Sequence, residues 1–317
     1  MHLAYARVMR AVLVVNPQAT ATTPAGRDVL AHALASQVKL EVVETDYRGH
    51  ALAAAARAAE DGVDLVVAHG GDGTVNEVVN GLLARGPSGA TPMLGVVPGG
   101  SANVFARALG LPRHPVEATH VLLRAIEQGR SRRVGLGLVD PDGERRWFTF
   151  NAGVGWDADV VADVDRKRGK RTGPSLYARV ALARYARPRR ERPDLTVELP
   201  GEDPITGLRL AIVSNTDPWT YMGARPIHLN PGCGFETGLG FFALRTLRAT
   251  VVLRHLRQAL SAKGIRRGKH LVRRDDAARV VVSAPTPVRV QCDGDLIGER
   301  TRVEFVSVPS ALAVAVV

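Results

Sequence analysis

Residues 10–109 alternate short, fully apolar runs with longer helix-periodic stretches, and this alternation limits the fold more than any other feature. The run RAVLVVN at 10–16 is apolar and β-branched and closes on Asn-Pro, the pattern of an interior strand entering a turn. LEVVET at 40–45, DLVVA at 64–68 and the run at 93–97 repeat it. Helical stretches separate them at 24–37, 50–61, 74–85 and 101–109. In 74–85, Val75, Val78, Val79, Leu82 and Leu83 share one face. Strands apolar on both sides, each followed by a helix, predict a parallel sheet covered on both faces.

The texture changes at 134. Short runs at 134–139, 146–153, 195–199, 208–213, 279–283, 287–292 and 302–306 are bounded by Gly, Pro and Asp. They predict antiparallel strands. Two helical stretches, 174–186 and 246–262, interrupt them. The 317 residues therefore divide into 1–133 and 134–317, close to two domains of about 150 residues.

Charge follows the same division. The net charge is +11, of which +2 falls in 1–133 and +9 in 134–317. Residues 166–192 carry 11 basic residues and one acid, Glu191, and 245–274 carry ten basic residues and no acid. Such asymmetry points to an anionic partner: a membrane surface, a nucleic acid or a phosphorylated ligand. The plainer reading is a solvated face in an Arg-rich chain. Aromatic residues make up 5%, too few for base-stacking platforms, so nucleic acid is not expected. Two cysteines, Cys233 and Cys292, exclude a disulfide scaffold and any Cys-x-x-Cys metal site. No apolar run reaches the roughly 18 residues of a membrane span, and MHLAYARVMR lacks the apolar stretch of a signal peptide. A cytoplasmic location is the expectation.

Chemistry concentrates in glycine-rich turns. Gly70-Gly71-Asp72-Gly73-Thr74 lies directly between an apolar strand and a helix. Glycines let backbone N–H groups approach phosphate oxygens, and a helix N-terminus adds partial positive charge. The turn fits neither the P-loop nor the Gly-x-Gly-x-x-Gly pattern. Asp72 is the unusual member. Beside phosphate a carboxylate must orient Mg²⁺ or handle a proton; otherwise it caps the helix and the glycines serve only the turn. A second turn, Pro98-Gly99-Gly100-Ser101-Ala102-Asn103, follows another strand, and Asn16-Pro17 follows the first. Turns at the carboxyl ends of strands in one parallel sheet define a ligand crevice.

GGDGTVNEVVNGL at 70–82, PGGSANVFARALGLP at 98–112, the strand-Asn-Pro at 16–17 and Cys292-Asp293-Gly294-Asp295 together resemble the diacylglycerol kinase catalytic-domain family, which includes bacterial lipid kinases and the sphingosine and ceramide kinases. GGDGT alone also occurs in NAD kinases; the continuation Asn76-Glu77-Val78-Val79-Asn80-Gly81-Leu82 favours the lipid-kinase branch. The resemblance spans about 10–317. It implies an N-terminal three-layer α/β nucleotide-binding domain and a C-terminal antiparallel β-sandwich holding the lipid acceptor, with the final strand able to return to the first domain. It also implies ATP and Mg²⁺. ATP is then expected near Asn16, Thr45, Gly70, Gly71, Asp72, Gly73, Thr74, Asn76, Glu77, Gly100 and Ser101, with Asp72 addressing ATP-bound Mg²⁺. Asp293 and Asp295 match the family's Asp-Gly-Glu, and the general base falls on the second acid, Asp295, with Asp293 as the other candidate. Asn151-Ala152-Gly153-Val154-Gly155-Trp156-Asp157-Ala158 resembles the segment that opens the family's sandwich.

Two departures stand out. Gln18-Ala19-Thr20 replaces the usual Ser-Gly turn after Asn-Pro. In Pro231-Gly232-Cys233-Gly234-Phe235-Glu236-Thr237-Gly238, Thr237 occupies the carboxylate position of a structural Mg²⁺ site in many bacterial relatives, leaving Glu236 as the only substitute. The expected reaction transfers the γ-phosphoryl of ATP to a lipid hydroxyl at an anionic membrane surface. The alternatives are an NAD kinase-like enzyme and a catalytically silent nucleotide-binding regulator. An oligomer stays open.

Overall fold

The computed structural model describes residues 8–140, 144–167 and 194–317. The chain forms two compact units, one running to Val134 and including Ala311–Val317, the other Gly135–Ser310. The segment 134–317 therefore does not hold together to its end, because its last residues belong to the first unit.

In the first unit, strands β1 (Arg10–Val15), β2 (Lys39–Glu44), β3 (Leu65–Gly70) and β4 (Met93–Pro98) alternate with helices α1 (Pro24–Ala35), α2 (His50–Glu60), α3 (Asp72–Leu82), α4 (Val104–Ala108) and α5 (Pro115–Glu127). The strands lie in the order β4-β3-β1-β2, all parallel. Val314 of the returning segment pairs in parallel with Leu94. Alternate side chains leave opposite faces of a strand. Leu13, Val15, Leu65, Val67 and Val97 pack with Leu30 and Leu34 of α1 and Leu122 of α5. Helices α2 and α3 cover the other face, burying Ala51, Ala55, Ala58, Val75, Val78 and Val79. The result is three layers.

Helix boundaries follow local chemistry. Thr23 Oγ1 accepts from the Gly26 N–H at 3.0 Å, and Pro24 fills the first position of α1. Pro115 opens α5 in the same way. That helix was not expected, although its initial proline and the spacing of Ala118, Leu122 and Ala125 signal it. Asn103 adopts left-handed backbone, φ 49°, so the helix expected over 101–109 begins only at Val104. Helix α3 begins at Asp72 rather than Thr74 and thus includes part of the glycine motif itself.

The second unit contains β5 (Arg132–Val139, which starts in the first), β6 (Arg146–Phe148), β7 (Asn151–Gly155), α6 (Trp156–Lys167), β8 (Leu195–Glu198), β9 (Ile205–Leu208), β10 (Leu210–Ser214), β11 (Thr220–Met222), β12 (Arg225–Ile227), β13 (Leu239–Leu244), α7 (Ala249–Ala259), β14 (Leu271–Ala277), β15 (Arg279–Cys292) and β16 (Asp295–Val314). Its strand pairs are antiparallel. Strand β15 pairs with β8 through Val281–Ser283 and with β7 through Val290–Cys292, so its two ends join different strands of one sheet. Val154, Leu195, Val213, Phe241, Val282, Val290 and Phe305 pack into one core. The outer face of β10 and β13 is covered through Val252 and Ala259 of α7.

Two runs expected as separate strands, 279–283 and 287–292, join as β15. The register shifts between Ser283 and Val288, where Pro285 and Pro287 have no N–H to donate. Among the described residues strand β14 pairs only with β13, so it lies at an edge with Arg274 and Asp276 exposed, and its sequence LVRRDDA reads as a loop. The expected helix 174–186 and the basic run beyond 167 lie outside the described residues.

Helices α2 and α3 approach closely at Gly81, where a Cβ would stand 2.3 Å from the Leu52 carbonyl oxygen and 2.8 Å from Ala55 Cβ. Backbone cannot yield as a flexible side chain does. Gly81→Ala is therefore expected to lower stability by about 1–3 kcal/mol despite the better helix propensity of alanine. Urea unfolding checks it, and a stabilised variant would contradict the packing.

Candidate functional site

Strand register places the turns of the first unit. Val15 pairs with both Glu44 and His69, and Gly70 pairs with Pro98. Asn16, Thr45 and the two glycine turns therefore leave the sheet at one edge. Backbone bonds tie them together: Asn16 N–H to His69 O at 2.9 Å, Thr45 N–H to Val15 O at 2.8 Å, and Gly99 N–H to Gly70 O at 2.7 Å. The glycine turns touch backbone to backbone. A Cβ on Gly100 would lie 2.6 Å from Gly71 Cα, and one on Gly99 would lie 3.1 Å from Gly70 Cα. A Cβ on Gly70 would collide with Thr74 Oγ1, which accepts a hydrogen bond from Asn16 Nδ2 at 3.1 Å.

Helix α3 starts beside this contact. Gly71 is its N-cap residue, with extended backbone and no capping side chain. The first N–H groups of a helix have no partner inside it and carry the positive end of its dipole. Gly73 is exposed in that first turn, with no atom within 4 Å of where a Cβ would stand. This open, glycine-walled position fits a phosphate group. Asp72 is not the N-cap; it occupies the first helical position, and its Oδ1 accepts from the Phe105 N–H at 3.3 Å, linking α3 to the start of α4. Asn103 fixes the second turn by accepting from Gly100 N–H at 2.9 Å and donating to Gly100 O at 2.7 Å. Ser101 is exposed at the tip of that turn.

Two members of the expected nucleotide set are engaged elsewhere. Glu77 accepts from Gly49 N–H at 2.9 Å and Ala51 N–H at 3.2 Å, so its carboxylate caps α2. Asn76 is buried and bonded to Asn80 at 3.1 Å. A resident metal finds little here. Among the described residues no group of three or more His, Cys, Asp and Glu side chains could hold one. The Thr237 hydroxyl closes its own turn with Gly234, accepting from its N–H at 2.9 Å, and Glu236 is exposed. A divalent ion at the glycine turns would arrive with the phosphates it neutralises.

In the second unit, Asp293 and Gly294 have φ of 48° and 83° and join β15 to β16 across the Cys292–Asp295 pair. Successive positive φ values are what a two-residue hairpin needs, and Asp-Gly supplies them. Asp293 is nevertheless buried. Its carboxylate accepts from Thr149 N–H and Oγ1 at 2.6 Å each, Phe150 N–H at 3.1 Å and Asn151 N–H at 3.0 Å. Burial pushes its carboxyl pKa up, and these donors oppose the rise. Asp295, two residues on, pairs with Arg146 at 3.0 Å and stays 19% exposed. The geometry thus separates the two acids: one is locked into the fold, and the other faces a cation within reach of solvent.

Gln291 sets the turn from behind. Its Oε1 accepts from Gly294 N–H at 2.9 Å, while Nε2 donates to Asn151 Oδ1 at 3.0 Å and Asp157 Oδ2 at 2.8 Å. Asp157 sits in the first turn of α6, buried, and desolvation raises its pKa to about 6 against the pull of the Gln291 bond. Sequence reasoning missed Arg146, Gln291 and Asp157 as partners, because their contacts span 134 to 149 residues. The one local signal was a polar Gln inside an apolar strand, VRVQC.

Because burial raises Asp157 from 3.8 to about 6, the folded state holds its proton more tightly than the unfolded chain. That contribution is complete below about pH 4 and disappears as the pH rises through about 6, a loss on the order of 3 kcal/mol. Asp157→Asn keeps an oxygen for Gln291 and cannot ionise. It is expected to exceed the wild type in stability at pH 8 and to have no such advantage at pH 4. Denaturant unfolding at both pH values checks this, and the same difference at each would contradict it.

Comparison with known proteins agrees with these motifs. The profile of the diacylglycerol kinase catalytic domain matches residues 10–139. The chain is 35% identical over 162 residues to the "Probable lipid kinase YegS-like" of Stenotrophomonas maltophilia, covering 51% of each chain. It is 34% identical over 178 residues to a diacylglycerol kinase of Bacillus subtilis, covering 53% of each. These alignments span about half the length of the curated relatives. The crystal structure of a diacylglycerol kinase from Bacillus anthracis str. Sterne shares the fold, with a TM-score of 0.72, 18% identity and 98% of both chains covered. The three-layer α/β unit and antiparallel partner expected from sequence are thus a known architecture, and residues 10–139 are similar to the diacylglycerol kinase catalytic domain.

Proposed function

We propose that this protein is an ATP-dependent lipid kinase that transfers the γ-phosphoryl group to a lipid hydroxyl. The observation that carries the reading is the backbone contact between the two glycine turns beside the exposed start of α3. It supports phosphate binding by leaving no side chain between Gly71 and Gly100 and none at Gly73. Backbone N–H groups of the turn hold the phosphates, with Thr74, Asn16 and Ser101 around them. Asp72 would face any Mg²⁺ carried by ATP, whose charge would offset that of the phosphates. Asp295, oriented by Arg146, takes the proton of the acceptor hydroxyl. The acceptor oxygen forms its bond to the γ-phosphorus as the bond to the β,γ-bridging oxygen breaks, and ADP leaves. Asp293 holds the turn.

The deciding experiment incubates the protein with γ-labelled ATP, a total lipid extract and NAD. Label in a lipid fraction is expected. Label on NAD instead, or no transfer at all, overturns the reading.

The residues separate into testable roles. Gly73→Ala puts a methyl into open space at an exposed helix position, so stability should hold or rise by up to about 1 kcal/mol while ATP affinity falls at least about tenfold. Unchanged nucleotide affinity would remove the turn from the site. Asp295→Asn should slow single-turnover transfer about 10²–10⁴-fold and leave ATP affinity within a few-fold. Asp293→Asn sets an amide against backbone donors and should lower stability by about 1–3 kcal/mol. If Asp295→Asn transfers at the wild-type rate, another group takes the proton.

A further inference from the structure

Helix α7 carries an apolar ridge that no other described residue covers. At 100° per residue, Ala249, Leu253, Leu256 and Leu260 fall in one stripe. Leu253 is 58% exposed and Leu256 45% exposed, while Val252, His255 and Ala259, about a quarter turn round the helix, pack toward the second unit. Arg254 and Arg257 flank the ridge, both exposed. Exposed Arg248, Lys263, Arg266, Arg267 and Lys269 lie on the adjoining chain, and no acid occurs from 245 to 274. Arg245, Arg273 and Arg274 of the same stretch are bonded to Thr206 O, to Ile265 O and Asp275, and to Glu202. The other seven cations form no ion pair among the described residues.

We propose that α7 is the membrane-docking element of this protein, lying in the interface of an anionic bilayer with Leu253 and Leu256 inserted and the flanking cations at the headgroups. The charge selects the partner class. A stretch with no carboxylate of its own and seven cations unpaired among the described residues is self-repelling, which disfavours a second copy of the same face. A nucleic acid would satisfy the cations but gain nothing from two protruding leucines. An anionic bilayer takes both, because apolar side chains enter the acyl boundary while Lys and Arg meet lipid phosphates. The helix is short, so the two signals act together. The inference extends the lipid-kinase reading, since an enzyme with a membrane-resident acceptor must meet it at the interface.

The test is co-sedimentation, without ATP, with vesicles of phosphatidylcholine alone or mixed with 30% phosphatidylglycerol. The wild type is expected to bind the mixed vesicles at low salt, to bind neutral vesicles far less, and to release as salt rises. Leu253→Ala/Leu256→Ala should weaken binding roughly ten- to a hundredfold with an unchanged melting temperature, since both side chains are exposed. Arg254→Glu/Arg257→Glu should weaken it at least about tenfold. Wild type that ignores the mixed vesicles, or a leucine variant that binds like wild type, overturns the proposal. So does a leucine variant that loses self-association in sedimentation velocity while keeping vesicle affinity, because the ridge would then join copies of the chain. Transfer to the total lipid extract dispersed in detergent separates this inference from the kinase reading. Vesicle binding without transfer overturns the kinase and leaves α7 standing; transfer with no vesicle binding overturns α7 alone.

Discussion

The first unit depends on one contact, the meeting of two peptide backbones at Gly70-Gly71 and Gly99-Gly100. The β3–β4 register makes it unavoidable, since Gly70 opposite Pro98 brings both turns off the sheet at the same level. With any side chain at Gly100 the strands would have to separate, because a Cβ there falls 2.6 Å from Gly71 Cα. The glycines therefore carry two roles that sequence motifs leave undivided. Gly70, Gly99 and Gly100 permit the packing, while Gly73 opens the helix start to a ligand. Asp72 belongs to the same arrangement, bonding across to the Phe105 N–H, so the carboxylate in the glycine turn has a structural partner on α4.

Most of this unit was legible in advance. Interior strands of a parallel sheet are apolar on both faces, so 10–16, 64–68 and 93–97 announced themselves, while 40–45, the edge strand β2, showed only its β-branched pair Val42-Val43; glycine turns between strand and helix marked the edge where a ligand was expected. Glu77 shows where motif reading stops. It stands inside a motif associated with the nucleotide, yet its carboxylate caps α2, a partner 26–28 residues away whose position only the fold reveals. The second unit was harder. Strand β14 reads as loop because it lies at an edge, and β13 was missed although LGFFAL is as apolar as any strand in the first unit. Neighbouring Gly and Pro residues hid it, whereas the repeating strand–helix period exposed its counterparts.

The surface of α7 was legible only in half. Ten basic residues without an acid are visible in the sequence; which leucines they surround is not. Leu247, Leu253, Leu256 and Leu260 look equivalent in a string of letters. In the structure Leu247 is buried while Leu253 and Leu256 face outward, and the helix is anchored by Val252 and Ala259. Apolar residues are commonly exposed singly, and such exposure needs no explanation. Alignment of two along one stripe, inside an all-cationic stretch, is what gives the exposure meaning.

The Asp-Gly-Asp sequence shows how the same residue type acquires opposite roles two positions apart. The hairpin needs left-handed backbone at Asp293 and Gly294. That conformation turns the Asp293 side chain back onto 149–151, where three N–H groups and a hydroxyl meet it. Desolvating a carboxylate costs several kcal/mol unless donors replace the lost water, and the four donors here do so. Having accepted four bonds, its two oxygens have little capacity left for a substrate proton. Asp295 has resumed strand backbone, opposite Cys292, and its side chain meets Arg146 at the margin of solvent. The second acid is thus the one available for chemistry because the first is used to make the turn that presents it.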